Sequence, residues 1–269
     1  MGKIEKFFKY MKERGVLWTF LYVIRFVGSR IVRGIDMYII RIEKRKFLTG
    51  DSTVSAMYHT VEDNKRWNRY DWSTNGGEEW TQDVKKYKDL DPEKWKSSII
   101  NEMMLKYIKK GSTVLEIGPG AGRWTEILQP ISSRLLIADI AEKCLAICKE
   151  RFKEKDNIEY YRVEEDMLSF IPEDAIEFIW SYDVFVHINA TDTEKYLIDF
   201  KRIMKPGSYA VIHHADKYSS MKEARKAARS HMDGKLFAHL VEKYDFKIVE
   251  QNDTLVHMPG DLITVFFKP

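Results

Sequence analysis

The run VLEIGPGAGRWT (residues 114–125) places an acid, Glu116, two residues before the first of three alternating glycines, Gly118, Gly120 and Gly122. Glycines at a turn from strand into helix let the backbone approach a ligand where a Cβ would collide. The spacing is E-x-G-x-G-x-G. A dinucleotide site instead uses G-x-G-x-x-G to seat a pyrophosphate on the helix N-terminus. Asp139 follows about 20 residues beyond the first glycine, at the end of the next apolar run, where a carboxylate can accept hydrogen bonds from both hydroxyls of a ribose. The pattern therefore points to a nucleoside ligand. Three histidines stand where a proton acceptor would be useful: His187 after the fourth predicted strand, and His213 and His214 at the end of the fifth. Histidine titrates near neutral pH and suits general base work on a hydroxyl. The same two histidines with Asp216 form a conceivable metal set, but adjacent strand residues point to opposite faces, so no metal is expected.

These residues need elements to hold them. STVLEIG reads as a strand, AGRWTEILQPI as a helix, RLLIADI as a strand and AEKCLAICKERFKEK as a helix. IEYYRV and AIEFIWSYDVFV continue as strands, TDTEKYLIDFKRIM as a helix, and SYAVIHHA as a strand after a Lys205-Pro206-Gly207 turn. A helix near 233–244 and the strands FKIVEQ and LITVFFK complete the chain. Upstream, Asp91-Pro92 marks a helix start that runs to a stop at Gly111. Such alternation predicts an α/β fold with a mainly parallel sheet, helices on both faces, and ligands at the carboxyl ends of the strands.

The ordered set resembles the class I S-adenosylmethionine (SAM)-dependent methyltransferases over about residues 92–269. E-x-G-x-G-x-G is similar to their motif I. Asp166-Met167, after the third strand, matches the place where they hold adenine, and IWSYDVFVHI and LIDFKRIMKPGSYAVI resemble the motif IV region and the helix, turn and strand that follow it. Ser208 departs from a frequent second glycine in that turn. The resemblance implies a Rossmann-like, seven-stranded sheet and SAM as cofactor. It implies cofactor contacts from Glu116, Gly118, Gly120, Gly122, Asp139, Ile140, Asp166, Met167 and Tyr182. RWNRYDWSTNGGEEWT loosely resembles an aromatic segment of methyltransferases associated with glycan and polysaccharide biosynthesis, which adds Tyr70 and Trp72 as caps on cofactor or acceptor.

The chain has 269 residues, 44% of them hydrophobic, and a net charge of +3 that is too small to argue for nucleic acid. Residues 1–50 hold 12 Lys/Arg against 4 Asp/Glu, a net +8 that leaves −5 for the rest. Within them VLWTFLYVIRFV is too short to span a bilayer, and the isoleucines that follow recur near helical spacing. The segment reads as a basic amphipathic helical extension that meets either an anionic membrane surface or a second subunit. Residues 51–91 read as an aromatic connector or lid, and 92–269 as the SAM-binding domain. Cys144 and Cys148, four apart on one helix face, are expected as reduced thiols in a cytoplasmic protein, peripheral on the inner membrane face if the basic segment meets lipid. The expected activity is O-methylation of a small-molecule, glycan-type or lipid-linked acceptor. N- or C-methylation of a lipid, lipoquinone or other small molecule, and a non-catalytic SAM-binding scaffold, are the alternatives.

Overall fold

Seven strands form in the computed structural model: β1 (Ser112–Ile117), β2 (Ser132–Asp139), β3 (Ile158–Arg162), β4 (Ile176–Phe185), β5 (Met204–Ala215), β6 (Lys247–Asn252) and β7 (Asp261–Phe267). They make one sheet in the order β3-β2-β1-β4-β5-β7-β6. All pairs are parallel except those of β7, which runs antiparallel to both β5 and β6. The expected seven-stranded, mainly parallel sheet is therefore the observed one. The order reverses between β1 and β4, and a ligand crevice opens at such a reversal. The structure describes residues 16, 67–72, 77–78, 81–164, 167–216, 230 and 232–269. Contacts divide the chain into residues 1–55 and 56–269, and every element named here belongs to the second unit. The basic extension of residues 1–50, Val16 apart, and Asp166 lie outside the described residues.

The helices are α1 (Gln82–Lys88), α2 (Pro92–Ile99), α3 (Thr125–Leu128), α4 (Glu142–Arg151), α5 (Ala190–Ile203) and α6 (Gly234–Lys243). Asp91 caps α2 as its sequence suggests: the side chain accepts from the Lys94 N–H at 2.9 Å, with Pro92 at the first helical position. α2 passes directly into a π-helical stretch, Ile100–Leu105. The helix expected over 121–131 is cut to one turn, α3, followed by a 3-10 turn at Gln129–Ile131. Pro130 lacks the N–H that an α-helical ladder would need there. α1 lies inside the stretch read as a connector. Only Val84 of its seven residues is buried, too little for apolar periodicity to announce a helix.

β4 runs through the middle of the core, with Phe178 and Trp180 fully buried. Trp124 meets Trp180 edge-on at 5.4 Å and Trp95 at 6.4 Å, so aromatic rings weld α2 and the loop after β1 to the sheet. The predicted Lys205-Pro206-Gly207 turn is instead an irregularity within β5, where pairing skips from Met204 to Tyr209. Its backbone is held by the chain end: Gly207 N–H donates to Lys268 O at 2.7 Å and Lys268 N–H to Ser208 O at 3.0 Å.

Candidate active site

A cavity of about 340 Å³ lies over the carboxyl ends of β1, β2 and β4. Its floor is the glycine loop. Gly118 has φ 71°, and a Cβ there would sit 2.2 Å from Val184 Cγ2, so only glycine lets the end of β1 pass this close to β4. Gly120 has φ 57°, and its Cβ would meet the Trp72 ring at 2.9 Å. Gly122 serves packing, against Phe152.

Asp139 and Ile140 line the same cavity, at the end of β2. Asp139 Oδ1 accepts from the Ala141 N–H at 2.8 Å, which turns the carboxylate toward the crevice. Burial raises its carboxyl to about 6, against the opposing pull of the Ala141 and Gly120 N–H groups. Two ribose hydroxyls donating to Asp139 would favour the charged form. Affinity for S-adenosylhomocysteine (SAH) is therefore expected to be level above pH 7 and to fall as the pH drops through 6, where the free protein takes up the competing proton. Asp139→Ala should weaken SAH by about 1.5–3 kcal/mol, the range for hydrogen bonds to a charged group. Calorimetry from pH 5 to 8 checks both, and an affinity independent of pH would remove this role.

Glu116 is buried at the end of β1. It is 1% exposed, is not on the cavity wall, and accepts from Thr125 Oγ1 at 2.6 Å. Burial raises it to about 7. Its contact ties the end of β1 to the start of α3, and its other oxygen, Oε1, is buried without a hydrogen-bond partner. Met167 (φ 54°) and Tyr70 are also off the wall, and Tyr70 instead backs Trp72 at 4.7 Å. Trp72, Trp67 and Tyr182 do line it. The aromatic segment is closed on itself by Trp72 Nε1–H to Trp67 O at 2.9 Å and fastened to α4 by the Lys143 N–H to Asn68 Oδ1 at 3.1 Å and Lys143 Nζ to Tyr70 O at 2.6 Å.

The three histidines separate. His187 is on the cavity wall, 5.3 Å from the Trp67 ring, in the turn that follows β4. His213 and His214 are fully buried and point to opposite faces of β5, as strand alternation requires. His214 stacks on Phe237 at 3.8 Å and its Nε2 lies 2.7 Å from Thr264 Oγ1. Burial lowers it to about 3, so it is a neutral core residue. His213 stacks on Tyr182 at 4.2 Å, and its Nδ1 accepts the Asp183 N–H at 3.0 Å. That bond steadies Asp183 in a left-handed conformation, φ 66°, which is unusual for a non-glycine residue.

The sequence reading did not single out Trp67, Arg123, Asp183 or α1 residues Asp83, Lys86 and Tyr87, all on the wall. Arg123 had a signal. It follows the glycine loop directly, and its guanidinium, 5% exposed, lies over Trp124 (5.1 Å) and Tyr182 (5.8 Å). Cys144 and Cys148 are both buried and free of any disulfide, Cys148 Sγ donates to Gly120 O at 3.4 Å, and burial pushes both thiols up.

A family model described as a methyltransferase domain matches residues 114–207, from β1 through the glycine loop and Asp139 into β5. Residues 114–207 are thus similar to the methyltransferase-domain family. SAM is the cofactor that this likeness supports. An uncharacterized methyltransferase of Schizosaccharomyces pombe is 30% identical over 127 residues, which are 44% of this chain and 45% of that protein. The chain thus spans less than half the length of that curated relative. Among solved structures, a geranyl diphosphate C-methyltransferase from Streptomyces coelicolor A3(2) superposes with a TM-score of 0.60 at 9% identity. That match covers 80% of this chain and all of the other. A SAM-dependent methyltransferase from Mesorhizobium loti gives 0.53 at 14% identity, covering 64% of this chain and 98% of the other. At these identities the likeness is one of fold.

Proposed function

We propose that this methyltransferase moves the methyl group of SAM to an oxygen of a glycan-type or lipid-linked acceptor. The observation that carries the reading is that one cavity joins the glycine loop and Asp139 to His187 and the rings of Trp67 and Trp72. Bound SAM supplies an electrophilic methyl on sulfur. Gly118 and Gly120 let its methionine portion lie on the loop, Asp139 takes the ribose hydroxyls, and Arg123 offers a cation to the carboxylate. His187 takes the acceptor's hydroxyl proton as the oxygen attacks in line. The aromatic rings offer flat apolar faces of the kind on which sugar rings stack, and they exclude water from the reacting atoms. Incubation with methyl-labelled SAM and fractionated extracts of the source cells tests the acceptor class. Label in glycan or lipid-linked saccharide supports the reading, whereas label confined to quinones, amines or protein overturns it.

Attachment to a membrane surface is part of the proposal and rests on the charge and aromatic content of residues 1–50. Among the described residues no helix is long and apolar enough to cross a membrane. Lys and Arg near an anionic surface contribute about 1 kcal/mol each while aromatic side chains enter the headgroup boundary. Protein beginning at residue 51 is expected to keep SAH binding but to stop sedimenting with anionic liposomes. Full-length protein that stays in the supernatant at low salt contradicts membrane attachment, and an oligomer that becomes monomeric on truncation supports a subunit contact instead.

A further inference from the structure

Behind the cavity wall, four side chains from separate parts of the chain converge: Asp183 of β4, His213 of β5, His257 of the β6–β7 loop and Asp261 of β7. Their ligand-type atoms all lie within 4.8 Å of one another. His213, His257 and Asp261 are buried, and Asp183 reaches the cavity wall. His213 Nε2 is 3.4 Å from Asp261 Oδ2, and His257 Nε2 is 3.6 Å from Asp183 Oδ2. Hydrogen bonds between charged nitrogen and oxygen run to about 2.7–2.9 Å. Two ligand atoms each about 2.0–2.1 Å from one tetrahedral ion stand roughly 3.3–3.4 Å apart. The separation of His257 from Asp183 is closer to the second figure.

The ring nitrogens add a second observation. His213 Nδ1 is occupied as an acceptor by the Asp183 N–H, which leaves Nε2 as the ring nitrogen that faces the cluster. That nitrogen is fully buried and has no hydrogen-bond partner. The His257 ring is held from its other nitrogen, with Nδ1 3.5 Å from the Tyr182 hydroxyl. An outer partner on the non-ligating nitrogen is the usual support of a metal-bound histidine.

From this geometry we infer a metal site: Asp183, His257 and Asp261 ligate one divalent transition-metal ion of the zinc class, and the buried His213 Nε2 faces Asp261 Oδ2 at 3.4 Å. One nitrogen and two carboxylates suit a first-row transition metal better than magnesium or calcium, which take oxygen ligands. Three protein ligands leave a fourth position, and Asp183 sets it at the cavity. This set differs from the one weighed in the sequence, since His214 faces away and Asp216 Oδ1 accepts the Gly234 N–H at 3.0 Å. Use of the ion to bind an acceptor oxygen and lower its pKa rests on the methyl-transfer reading. Metal binding does not.

Full-length protein, treated with chelator and titrated calorimetrically with zinc, is expected to take up one equivalent. Asp261→Asn and His257→Ala should each weaken that uptake at least roughly tenfold, as for loss of a ligand or its support, and Asp216→Asn should leave it unchanged. Cobalt replacement supplies a readout that needs no variant: visible d–d absorption of a bound, low-coordinate ion. No stoichiometric zinc uptake with no cobalt spectrum, or uptake undiminished in both variants, overturns the site. SAH binding measured on the same samples separates the two ideas, because SAH bound without metal removes only this inference.

Discussion

Gly120→Val is expected to weaken SAH binding roughly 100-fold or more, and two effects of the structure add to give that size. The backbone at φ 57° is one that β-branched residues avoid, at a cost of about 1–3 kcal/mol. A Cβ at this position also lies 2.9 Å from the Trp72 ring. The ring cannot retreat without loosening its contacts with Trp67 and Tyr70 inside the aromatic segment. The floor and cap of the cofactor site thus move together. Calorimetry with SAH, alongside circular dichroism to confirm folding, checks it. A folded Val variant with the affinity of the unsubstituted protein would show that the cofactor does not lie on this loop.

The second large effect is on chemistry. His187→Ala is expected to lower kcat by roughly 10²-fold while SAH affinity stays nearly constant, the pattern of a lost general base. His187 is the histidine of the three that stands on the cavity wall. Alanine at the buried His213 or His214 should act through stability, because those rings pack against Tyr182 and Phe237. Unchanged turnover in the variant would point to an acceptor that is already anionic or to an amine.

The glycine loop, Asp139 and the alternation of strands and helices were legible because each is a local pattern. Positive-φ glycines at a strand end, a carboxylate at the next strand end and period-two apolar runs need no knowledge of distant residues. Which way a side chain faces at those places was not legible. Glu116 and Ile117 are neighbours on β1, and alternation sends Ile117 to the cavity and Glu116 behind it to Thr125. The same alternation separates His213 from His214, and its phase is fixed by pairing with β7. The Asp183, His257 and Asp261 cluster is harder still, since its members meet only because β7 inserts antiparallel between β5 and β6. α1 escaped notice because its sequence is polar nearly throughout, yet it supplies Lys86 and Tyr87 to the wall.

The choice of the glycine loop between a nucleoside sulfonium and a dinucleotide decides its chemistry most directly. Calorimetric titration of the full-length protein with SAH and, separately, with NAD measures this without knowledge of the acceptor. SAH is expected to bind in one-to-one stoichiometry and to be lost in Gly120→Val, with no heat from NAD. Binding of NAD with no binding of SAH would contradict the account.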